Sequence, residues 1–483
     1  MLLPQAGRRK KEWNIRMDCP RIVIAGTHSG VGKTSLTLAF VAALRKRGYR
    51  VQTFKAGPDF LDPSYLAVAS GRPCYNLDGW MTDRNYVCRL FARAAKNADI
   101  AVIEGVMGLF DGADPADSTG STAEIAAWLN APALLIVDAH GASRSLAATV
   151  KGYADFEKDV HVACVLANRS GSERHKTWLA DSLAAAQLPP LIGAIPRDVL
   201  SGLPSRHLGL VSADAGNVSQ ALLDNYADAV ERYASVDEFL HIARSAPPLN
   251  INTFSNNRDM SPACEGGNQR VTIGVARDAA FHFYYQDMFD ELAALGCDLY
   301  FFSPVADNRL PGDLDALYIG GGYPEEQAAE LSANKAMLAD IREFATSGRS
   351  IYAECGGLMY LCSALKKQDG VEFPMAGVIP ATTRMLDKKK SLGYAEVTLN
   401  SNSLWGLKGT KLRGHEFHYS ELTSDPAIAD GWNAVYEVKR RRMPETASEG
   451  FQKGRILASY VHLHLAARPE ALRHFISLCR ANT

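Results

Sequence analysis

Residues 21–40 read RIVIAGTHSGVGKTSLTLAF, and this stretch decides the fold of the first half of the chain. Six mostly apolar residues, typical of a buried strand, lead into a glycine-rich turn that opens into a helix-like run. Successive backbone N–H groups in such a turn cradle phosphate oxygens, and a helix N-terminus favours negative charge. The sequence therefore predicts a phosphate-binding loop, formed by Gly30, Gly32, Lys33, Thr34 and Ser35.

Within this loop, Lys33 is expected to reach the outer phosphates of a nucleotide and Thr34 to bind Mg²⁺. The spacing differs from the common GxxxxGK[ST] pattern, because Thr27 stands where the first glycine is expected and Gly26 lies one position earlier. This spacing occurs in dethiobiotin-synthetase-like and partition-ATPase-like P-loop proteins. The partition type has a signature lysine where this chain has His28, which counts against a dimerising ATPase switch.

Further apolar strand candidates follow the loop and alternate with helix-like runs, at 100–105, 133–138, 162–167 and 191–196. Such alternation predicts parallel βαβ units and a doubly wound sheet. Residues 244–270 are rich in Pro, Asn, Ser and Gly and have no periodicity, which predicts a linker. Strand–helix alternation then restarts. We therefore expect a flexible tail, two α/β domains and a linker, with bounds 1–19, 20–243, 244–270 and 271–483.

Acidic residues lie at two strand ends, in the stretches FKAGPDFLDPSYL (54–66) and EGVMGLFDG (104–112). Open α/β sheets bind ligands beyond the carboxyl ends of their strands, so these carboxylates are expected to converge on the loop. Glu104 is a candidate Mg²⁺ ligand. Asp59, Asp62 and Asp111 are candidates for the polar shell of the metal or substrate. Alternatively, these aspartates cap helices or turns.

Composition excludes several classes of protein. The 483 residues carry 52 Lys and Arg against 53 Asp and Glu, which argues against a protein that binds nucleic acid or an anionic membrane. The nine cysteines include no CxxC pair, as in a reducing cytoplasm rather than a disulfide framework or a zinc site. No secretory signal and no membrane-spanning apolar run is found, so a cytoplasmic protein is expected.

A second site is predicted in the stretch IYAECGGLMYLC (351–362), where Cys355 lies between strand-like residues and two glycines. At such a strand-to-helix corner the sulfur is exposed and its thiolate is favoured, which is the geometry of a nucleophile. A buried, inert cysteine is the alternative, and it suits Cys362 better. Another glycine cluster, YIGGGYPEE (318–326), offers backbone N–H groups of Gly321 and Gly322 to an oxyanion.

A cysteine nucleophile needs a base, and two stretches near the C-terminus offer histidines: GHEFHYSEL (414–422) and ASYVHLHLA (458–466). In the second stretch, strand-like alternation places His462 and His464 on one face. One of them is expected to pair with Cys355. The order of cysteine and histidine, after a glycine-rich loop, is that of a class I glutamine amidotransferase, which releases ammonia from glutamine through a thioester.

Together these motifs resemble the cobyrinate a,c-diamide synthase family, including its hydrogenobyrinate and nickel-sirohydrochlorin versions, from about Arg21 onward. The ordered set is GTHSGVGKTS, FKAGPDFLDPSYL, GRPCYNLDGWM (71–81), EGVMGLFDG, LPSRHLGL (203–210), YIGGGYPE, AECGGLMYL and SYVHLHL. The resemblance implies a P-loop, dethiobiotin-synthetase-like domain that binds ATP and a tetrapyrrole carboxylate. A class I glutamine amidotransferase-like α/β domain follows. Relatives of the first domain dimerise, which is compatible with a homodimer.

Residue by residue, the resemblance makes Cys355 the nucleophile and His462 the histidine that activates it. The family's usual Glu two residues after this histidine is replaced by His464, and Glu416 is the candidate that could serve instead. Positions near ATP, Mg²⁺ and the substrate carboxylates match Asp59, Phe60, Leu61, Glu104 and Asp111. Arginines that could line a tetrapyrrole cleft are Arg72, Arg144, Arg197 and Arg206.

The reaction implied is ATP-dependent amidation of the a and c acetate side chains of a cobyrinate-type tetrapyrrole in cobalamin biosynthesis, through acyl phosphates, with ammonia from glutamine. Alternatives are a nickel-sirohydrochlorin a,c-diamide synthase and a cobyric acid synthase that amidates other side chains. A regulatory or partition protein would have lost the nucleophile or kept the signature lysine. A biotin-pathway ligase with a fused domain would need no Cys355.

Overall fold

The computed structural model describes residues 12–200, 202–203, 205–206, 209–210, 218–254, 270–441, 443 and 445–481. It divides into two compact units, one covering described residues up to 254 and the other those from 270 onward. No described helix is both long enough and apolar enough to cross a bilayer.

The helices and strands of the first unit alternate along most of its length. In chain order they are β1 (Glu12–Met17), β2 (Arg21–Gly26), α1 (Lys33–Lys46), β3 (Val51–Ala56), α2 (Leu61–Ser70), β4 (Tyr75–Leu77), α3 (Arg84–Ala95), β5 (Ile100–Glu104), α4 (Thr122–Trp128), β6 (Ala133–Asp138), α5 (Ser145–Asp155), β7 (Val162–Ser170), α6 (Glu173–Ala185), β8 (Leu191–Pro196), β9 (Ser205–Arg206), β10 (Gly209–Leu210), α7 (Gln220–Tyr233), α8 (Val236–Arg244) and β11 (Leu249–Phe254).

Among the described residues, seven strands of the first unit form a parallel sheet in the order β4-β3-β5-β2-β6-β7-β8. Every residue of β2, β3 and β5 is buried, and β2 and β5 are accordingly almost continuously apolar in sequence, whereas β3 carries the polar residues Gln52, Thr53 and Lys55. The chain leaves β2 towards β3 on one side and later adds β6, β7 and β8 on the other. The loop after β2 therefore lies at the switch point of a doubly wound sheet, as predicted.

The predicted tail and linker are more ordered than expected. Strand β1 pairs with β11 in antiparallel register from Glu12↔Phe254 to Met17↔Leu249. Neither strand has a neighbour in sequence with which it could form a hairpin, so neither gave a clear signal. Residues 1–11 of the predicted tail and 255–269 of the predicted linker lie outside the described residues.

The guanidinium of Arg21 connects distant parts of the first unit. This side chain is completely buried and donates to the backbone oxygens of Leu129 at 2.6 Å and Pro247 at 2.5 Å. Further bonds reach the carbonyls of Cys19 and Asn130. A charge that is removed from water needs such partners, and here backbone oxygens provide them.

The second unit has a parallel part followed by a largely antiparallel part. Its elements are β12 (Val271–Ala276), β13 (Phe281–Phe283), α9 (Gln286–Ala294), β14 (Cys297–Phe302), β15 (Ala316–Ile319), β16 (Gly321–Gly322), α10 (Ala328–Ala333), α11 (Lys335–Thr346), β17 (Ser350–Glu354), α12 (Gly356–Leu361), β18 (Cys362–Lys366), β19 (Glu372–Pro374), β20 (Ile379–Met385), β21 (Ser391–Leu399), β22 (Lys411–His418), β23 (Ser420–Leu422), β24 (Asn433–Arg440), β25 (Thr446–Lys453), β26 (Ile456–Ser459), β27 (His462–Leu463) and α13 (Pro469–Arg480).

Within the described part of the second unit, the largest sheet has the order β14-β12-β15-β17-β26-β25-β24-β21-β22-β27. Pairing is parallel from β14 to β26 and antiparallel from β26 to β27. The adjacent parallel strands β17 and β26 end at Glu354 and Ser459. This edge brings the residues after both strands together, and it is where the predicted nucleophile lies.

Candidate active sites

The predicted phosphate loop has the backbone that its glycines require. Gly30 and Gly32 have φ angles of 80° and 102°, in the left-handed region that glycine adopts without strain. A Cβ on Gly32 would also lie 2.3 Å from Nδ2 of Asn168. Lys33 begins α1, and its ammonium donates to the carbonyl oxygens of His28, at 3.3 Å, and Met107. Burial and then the charge of Lys55 lower the pKa of Lys33 to about 8.

The two residues predicted to bind the metal are in contact. Thr34 Oγ1 donates to Glu104 Oε1 at 2.7 Å, and Glu104 is completely buried at the end of β5. Sequence reasoning missed a third group: Lys55 Nζ lies 2.8 Å from the same oxygen and 2.5 Å from Asp62 Oδ2. The register of the parallel strands, which pairs Lys55 with Glu104, brings these residues together.

The buried cluster of Lys55, Asp62 and Glu104 has one basic side chain for two acidic ones. Burial opposes the charge of Lys55, but Asp62 and Glu104 outweigh burial and raise its pKa. Burial also opposes ionisation of Asp62, yet Lys55 keeps its pKa below the ordinary value. At Glu104 burial prevails over Lys55 and raises the pKa of the carboxyl group. One lysine therefore does not neutralise both carboxylates.

A divalent cation fits this arrangement. Glu104 Oε2 is buried and, among the described residues, has no hydrogen-bond donor. No described group of three or more His, Cys, Asp or Glu residues could hold a metal by itself. Thr34 and Glu104 would thus hold Mg²⁺ together with phosphate oxygens and water, which is how Mg²⁺ is commonly bound in nucleotide sites.

Two of the predicted substrate residues make local hydrogen bonds. Asp59 Oδ1 accepts from the backbone N–H groups of Leu61, at 2.8 Å, and Asp62, at 3.1 Å, at the start of α2. Asp111 Oδ2 accepts from the N–H of Gly108 at 2.8 Å. Both aspartates therefore make the turn or capping contacts that the sequence offered as the alternative to a role in the metal or substrate shell. These bonds use one carboxylate oxygen of each aspartate and not the other. Phe60 and Leu61 are partly exposed at the start of the same helix.

A cavity of about 380 Å³ lies at the carboxyl ends of β6, β7 and β8, lined by residues that include His140, Arg169, Ser170 and Arg197. Its wall contacts the phosphate loop, because Arg169 donates to the carbonyl of Gly30 at 2.8 Å and Asn168 to that of Val31 at 2.8 Å. Arg169 also forms an ion pair with Asp138 at 2.6 Å. No motif in the sequence predicted this cavity.

The four arginines suggested for a tetrapyrrole cleft are not equivalent. Arg72 donates to Gln52 Oε1 at 2.9 Å and to the carbonyl of Ala94, a packing role. Arg197 lies in the cavity beside His140. Arg144 is exposed just before α5. The side chain of Arg206 lies outside the described part of the chain.

In the second unit, Cys355 occupies a strained corner between β17 and α12. Its φ and ψ angles are 46° and −101°, a conformation that a non-glycine residue rarely adopts. The prediction that the sulfur of Cys355 is exposed is wrong, since the residue is only 4% exposed. The corner is tightly packed: a Cβ on Gly357 would lie 2.1 Å from the carbonyl oxygen of Ile319, and the N–H of Cys355 donates to Ser459 at 2.7 Å.

Cys355 and His462, which the sequence predicts to be a pair, interact in the structure. Burial lowers the pKa of His462, but its interactions with Cys355 and Glu354 outweigh burial and raise this pKa to about 10. His462 Nδ1 lies 3.8 Å from Glu354 Oε2. Gly321 lies against the same ring, because a Cβ there would be 2.4 Å from His462 Cε1. A protonated imidazole at this position stabilises a thiolate.

The predicted oxyanion glycines form the short strand β16, which pairs with β13 through Phe281↔Gly322 and Phe283↔Gly321. A Cβ on Gly356 would lie 3.0 Å from the backbone nitrogen of Gly322. This backbone therefore lies directly against the residue that follows Cys355.

Glu416, the candidate for orienting His462, and the nearby His464 both have other partners. Glu416 Oε2 and Oε1 lie 2.5 and 2.8 Å from the guanidinium nitrogens of Arg440, so the suggestion that Glu416 serves is not supported by its contacts. His464 Nε2 lies 3.3 Å from Asp287 Oδ2. Glu354 was missed because it precedes the cysteine instead of following the histidine.

Comparisons with known proteins match both domains of this chain. A model of the CobQ/CobB/MinD/ParA nucleotide binding domain matches residues 22–211, and a model of the CobB/CobQ-like glutamine amidotransferase domain matches residues 272–470.

Curated relatives match this chain along nearly their whole length. A cobyrinate a,c-diamide synthase from Syntrophotalea carbinolica is 53% identical over 468 residues, which are 97% of this chain and 100% of the relative. Proteins of the same name from Leptospira interrogans and Archaeoglobus fulgidus are 44% and 39% identical, over 96% and 95% of this chain and 99% and 97% of theirs. The chain described here belongs to the cobyrinate a,c-diamide synthase family.

Proposed function

We propose that this protein is a glutamine-hydrolysing ligase that converts the a and c acetate side chains of a cobyrinate-type tetrapyrrole to amides at the expense of ATP. The observation that supports this most directly is the presence, in one chain, of a His462-paired Cys355 and a nucleotide loop with a Thr34–Glu104 pair. The first provides chemistry for releasing ammonia, and the second provides chemistry for activating a carboxylate.

Glutamine hydrolysis begins when the Cys355 thiolate attacks the side-chain amide carbon of glutamine. The oxyanion that forms accepts hydrogen bonds from backbone N–H groups of β16, at Gly321 and Gly322. His462 gives its proton to the departing nitrogen, so ammonia leaves and a thioester remains. Water then hydrolyses the thioester, which yields glutamate and restores the thiol.

Carboxylate activation takes place at the phosphate loop. A substrate carboxylate oxygen attacks the γ-phosphorus of ATP, the bond to the β-phosphate oxygen breaks, and ADP leaves an acyl phosphate behind. Ammonia attacks the acyl carbon, inorganic phosphate leaves and a proton is lost. Lys33 and the backbone of Gly30 and Gly32 stabilise the phosphate charge. Mg²⁺, held by Thr34 and Glu104, supplies further neutralisation of that charge when bound.

The substrates are assigned to the sites by chemistry and position. Asp59, Phe60, Leu61 and Asp111 are proposed to position the tetrapyrrole carboxylate, with Ser35 beside the phosphates. We assign the nucleoside of ATP to the cavity beside Arg169, because its wall bonds directly to the phosphate loop.

The test follows the mass of cobyrinic acid incubated with the protein, ATP, Mg²⁺ and glutamine. Two successive losses of about one mass unit are expected, since each amidation replaces OH by NH₂. Cys355→Ala should abolish both mass losses when glutamine is the nitrogen donor. Ammonium should restore both losses in the same variant. A protein that hydrolyses glutamine but leaves cobyrinic acid unchanged would contradict the acceptor, and sirohydrochlorin with and without nickel would be tried next.

A further inference from the structure

A histidine that activates a thiol is commonly fixed by a third side chain, because the ring must present the correct nitrogen. This chain has no carboxylate two residues after His462, where His464 stands. Glu416 accepts hydrogen bonds from Arg440, at 2.5 and 2.8 Å, and from Ser391 at 2.9 Å. The group that orients His462 must therefore come from elsewhere in the second unit.

We infer that Glu354, the residue before the nucleophile, orients His462 and supplies the charge that keeps its ring protonated. Its Oε2 lies 3.8 Å from His462 Nδ1, and the two side chains are 3% and 1% exposed. This distance is longer than a hydrogen bond, so Glu354 acts by its charge, whose effect is stronger where water is excluded. With Nδ1 facing Glu354, Nε2 is the ring nitrogen left for Cys355. The inference rests on the glutamine hydrolysis proposed above.

Glu354 is itself held in place by three donors. Tyr352 Oη donates to Oε1 at 2.6 Å, Tyr318 Oη donates to Oε2 at 3.1 Å, and the backbone N–H of Leu463 donates to Oε1 at 3.1 Å. The last bond comes from the residue directly after His462. The Glu354 carboxylate thus connects strand β17 to the segment that carries His462. This connection fixes the imidazole ring of His462 relative to the carboxylate.

The corner at Cys355 explains how two consecutive residues serve one ring. In an extended strand, neighbouring side chains point to opposite faces of the sheet. The left-handed φ of 46° at Cys355 breaks this alternation, so that Glu354 and Cys355 both interact with His462. A strained residue at this point therefore places both the nucleophile and the carboxylate.

The titratable groups around His462 determine its protonation. They include Cys355, Glu354, the ring of His415, which is stacked on His462 with centroids 5.0 Å apart, and His418, whose pKa burial and, to a smaller extent, His462 lower. Burial, His462 and His464 lower the pKa of His415, so it adds no positive charge at neutral pH. Removing the negative charge of Glu354 is therefore expected to let His462 lose its proton at a lower pH.

The experiment compares Glu354→Gln with the wild type. Glutamine hydrolysis is measured as kcat and KM between pH 6 and 10, and amidation with ammonium reports on folding and on the synthetase site. The matched control is Glu449→Gln, which removes another buried carboxylate of the second unit, one that accepts bonds from Ser459 and Tyr460. Alkylation of Cys355 by iodoacetamide over the same pH range, read by peptide mass, reports on the thiolate–imidazolium pair directly.

Glu354→Gln should lower kcat by on the order of 100-fold or more, with little change in KM. It should also move the alkaline limb of hydrolysis to lower pH and leave ammonium-dependent amidation intact. A profile that coincides with those of the wild type and Glu449→Gln would overturn the role of Glu354. Wild-type protein without glutamine hydrolysis would be a different result, because it would overturn the proposed function itself.

A second variant covers the case in which Glu354→Gln does not fold. Glu354→Asp keeps the charge but withdraws it by one methylene group, so kcat should fall less and the alkaline limb should stay near that of the wild type. Two results for Glu354→Asp would contradict the inference. One is an alkaline limb shifted to the lower pH expected for a neutral side chain, and the other is a kcat equal to that of the wild type.

Discussion

Lys55 is the residue on which two buried carboxylates depend. Its ammonium lies within 2.8 Å of Glu104 and 2.5 Å of Asp62, and its side chain is 3% exposed. Lys55→Met should lower the free energy of unfolding of the first unit by about 3–5 kcal/mol, because two charges are left without their partner. The loss should be smaller at pH 5 than at pH 8, since protonation of the unpaired carboxylates relieves it. Chemical denaturation at both pH values measures this.

The control for this prediction is Lys46→Met. Lys46 pairs with Asp228 at the surface, where both side chains are more than half exposed. Replacing it should change the free energy of unfolding little at either pH, since exposed ion pairs contribute little. Equal effects of the two substitutions would contradict a special role for the buried lysine.

Glu449 should make stability depend on pH near neutrality. Burial raises the pKa of this carboxyl group to about 7, despite bonds from Ser459 and Tyr460 that lower it. The folded protein therefore holds the proton more tightly than the unfolded chain does. The penalty for ionisation is absent below the ordinary pKa near 4.5 and complete above pH 7.

Glu449→Gln removes this penalty while an amide can still bond both Ser459 and Tyr460. At pH 8 the variant should be more stable than the wild type, by at most about 3 kcal/mol, and near pH 4.5 the difference should vanish. Thermal unfolding of the two proteins across this range is the measurement. A difference that grows as the pH falls would refute the assignment.

Single residues show what the sequence could and could not reveal about the sites. Thr34 and Glu104 were predicted as metal ligands, and Cys355 and His462 as a catalytic pair, because each residue stands in a recognisable motif. Lys55 was missed although it lies inside a quoted motif. Its role depends on which strand lies beside β3, and strand order is not visible in the motif itself.

Among the elements, the corner between β17 and α12 is the most constrained. Gly357→Ala would place a Cβ 2.1 Å from the carbonyl oxygen of Ile319, so helix and strand would have to separate. We expect a loss of at least about 2 kcal/mol in unfolding free energy, with loss of glutamine hydrolysis. Gly312→Ala, where nothing lies within 4 Å, should change stability by less than about 0.5 kcal/mol. Denaturant midpoints of both variants decide the matter.

Parallel elements were easier to predict than antiparallel ones. The buried strands β5 and β6 are short apolar runs between helix-like segments, and each was predicted to within one residue. Strands β21 to β25 are partly exposed, and among the described residues only a short 3-10 helix, Pro426–Ile428, lies between them, so the strand–helix alternation that identified the others was absent. Strands β1 and β11 lie far apart in sequence, and only their pairing makes them strands.

At the scale of the whole molecule, the proposed function predicts that the two chemistries can be separated by substitution. Lys33→Met should lower amidation by on the order of 100-fold or more, since an ammonium that would neutralise phosphate charge is lost. Glutamine hydrolysis should persist, because Cys355 and His462 belong to a unit with its own core. Product masses and glutamate release, measured on one sample, test both statements. Loss of both activities in a folded Lys33→Met protein would contradict the division of labour.

The buried guanidinium of Arg21 also bears on how the chain is made. Its bond to the carbonyl of Pro247 spans 226 residues of sequence, and β1 pairs with β11 at a similar separation in sequence. At a ribosomal rate of 5–20 residues per second, these partners emerge roughly 10–45 s after Arg21 itself. During that interval the nascent first unit has an arginine without its full set of acceptors and a strand without its neighbour. Release of a chain that stops before Pro247 should therefore yield an incompletely closed, protease-sensitive product.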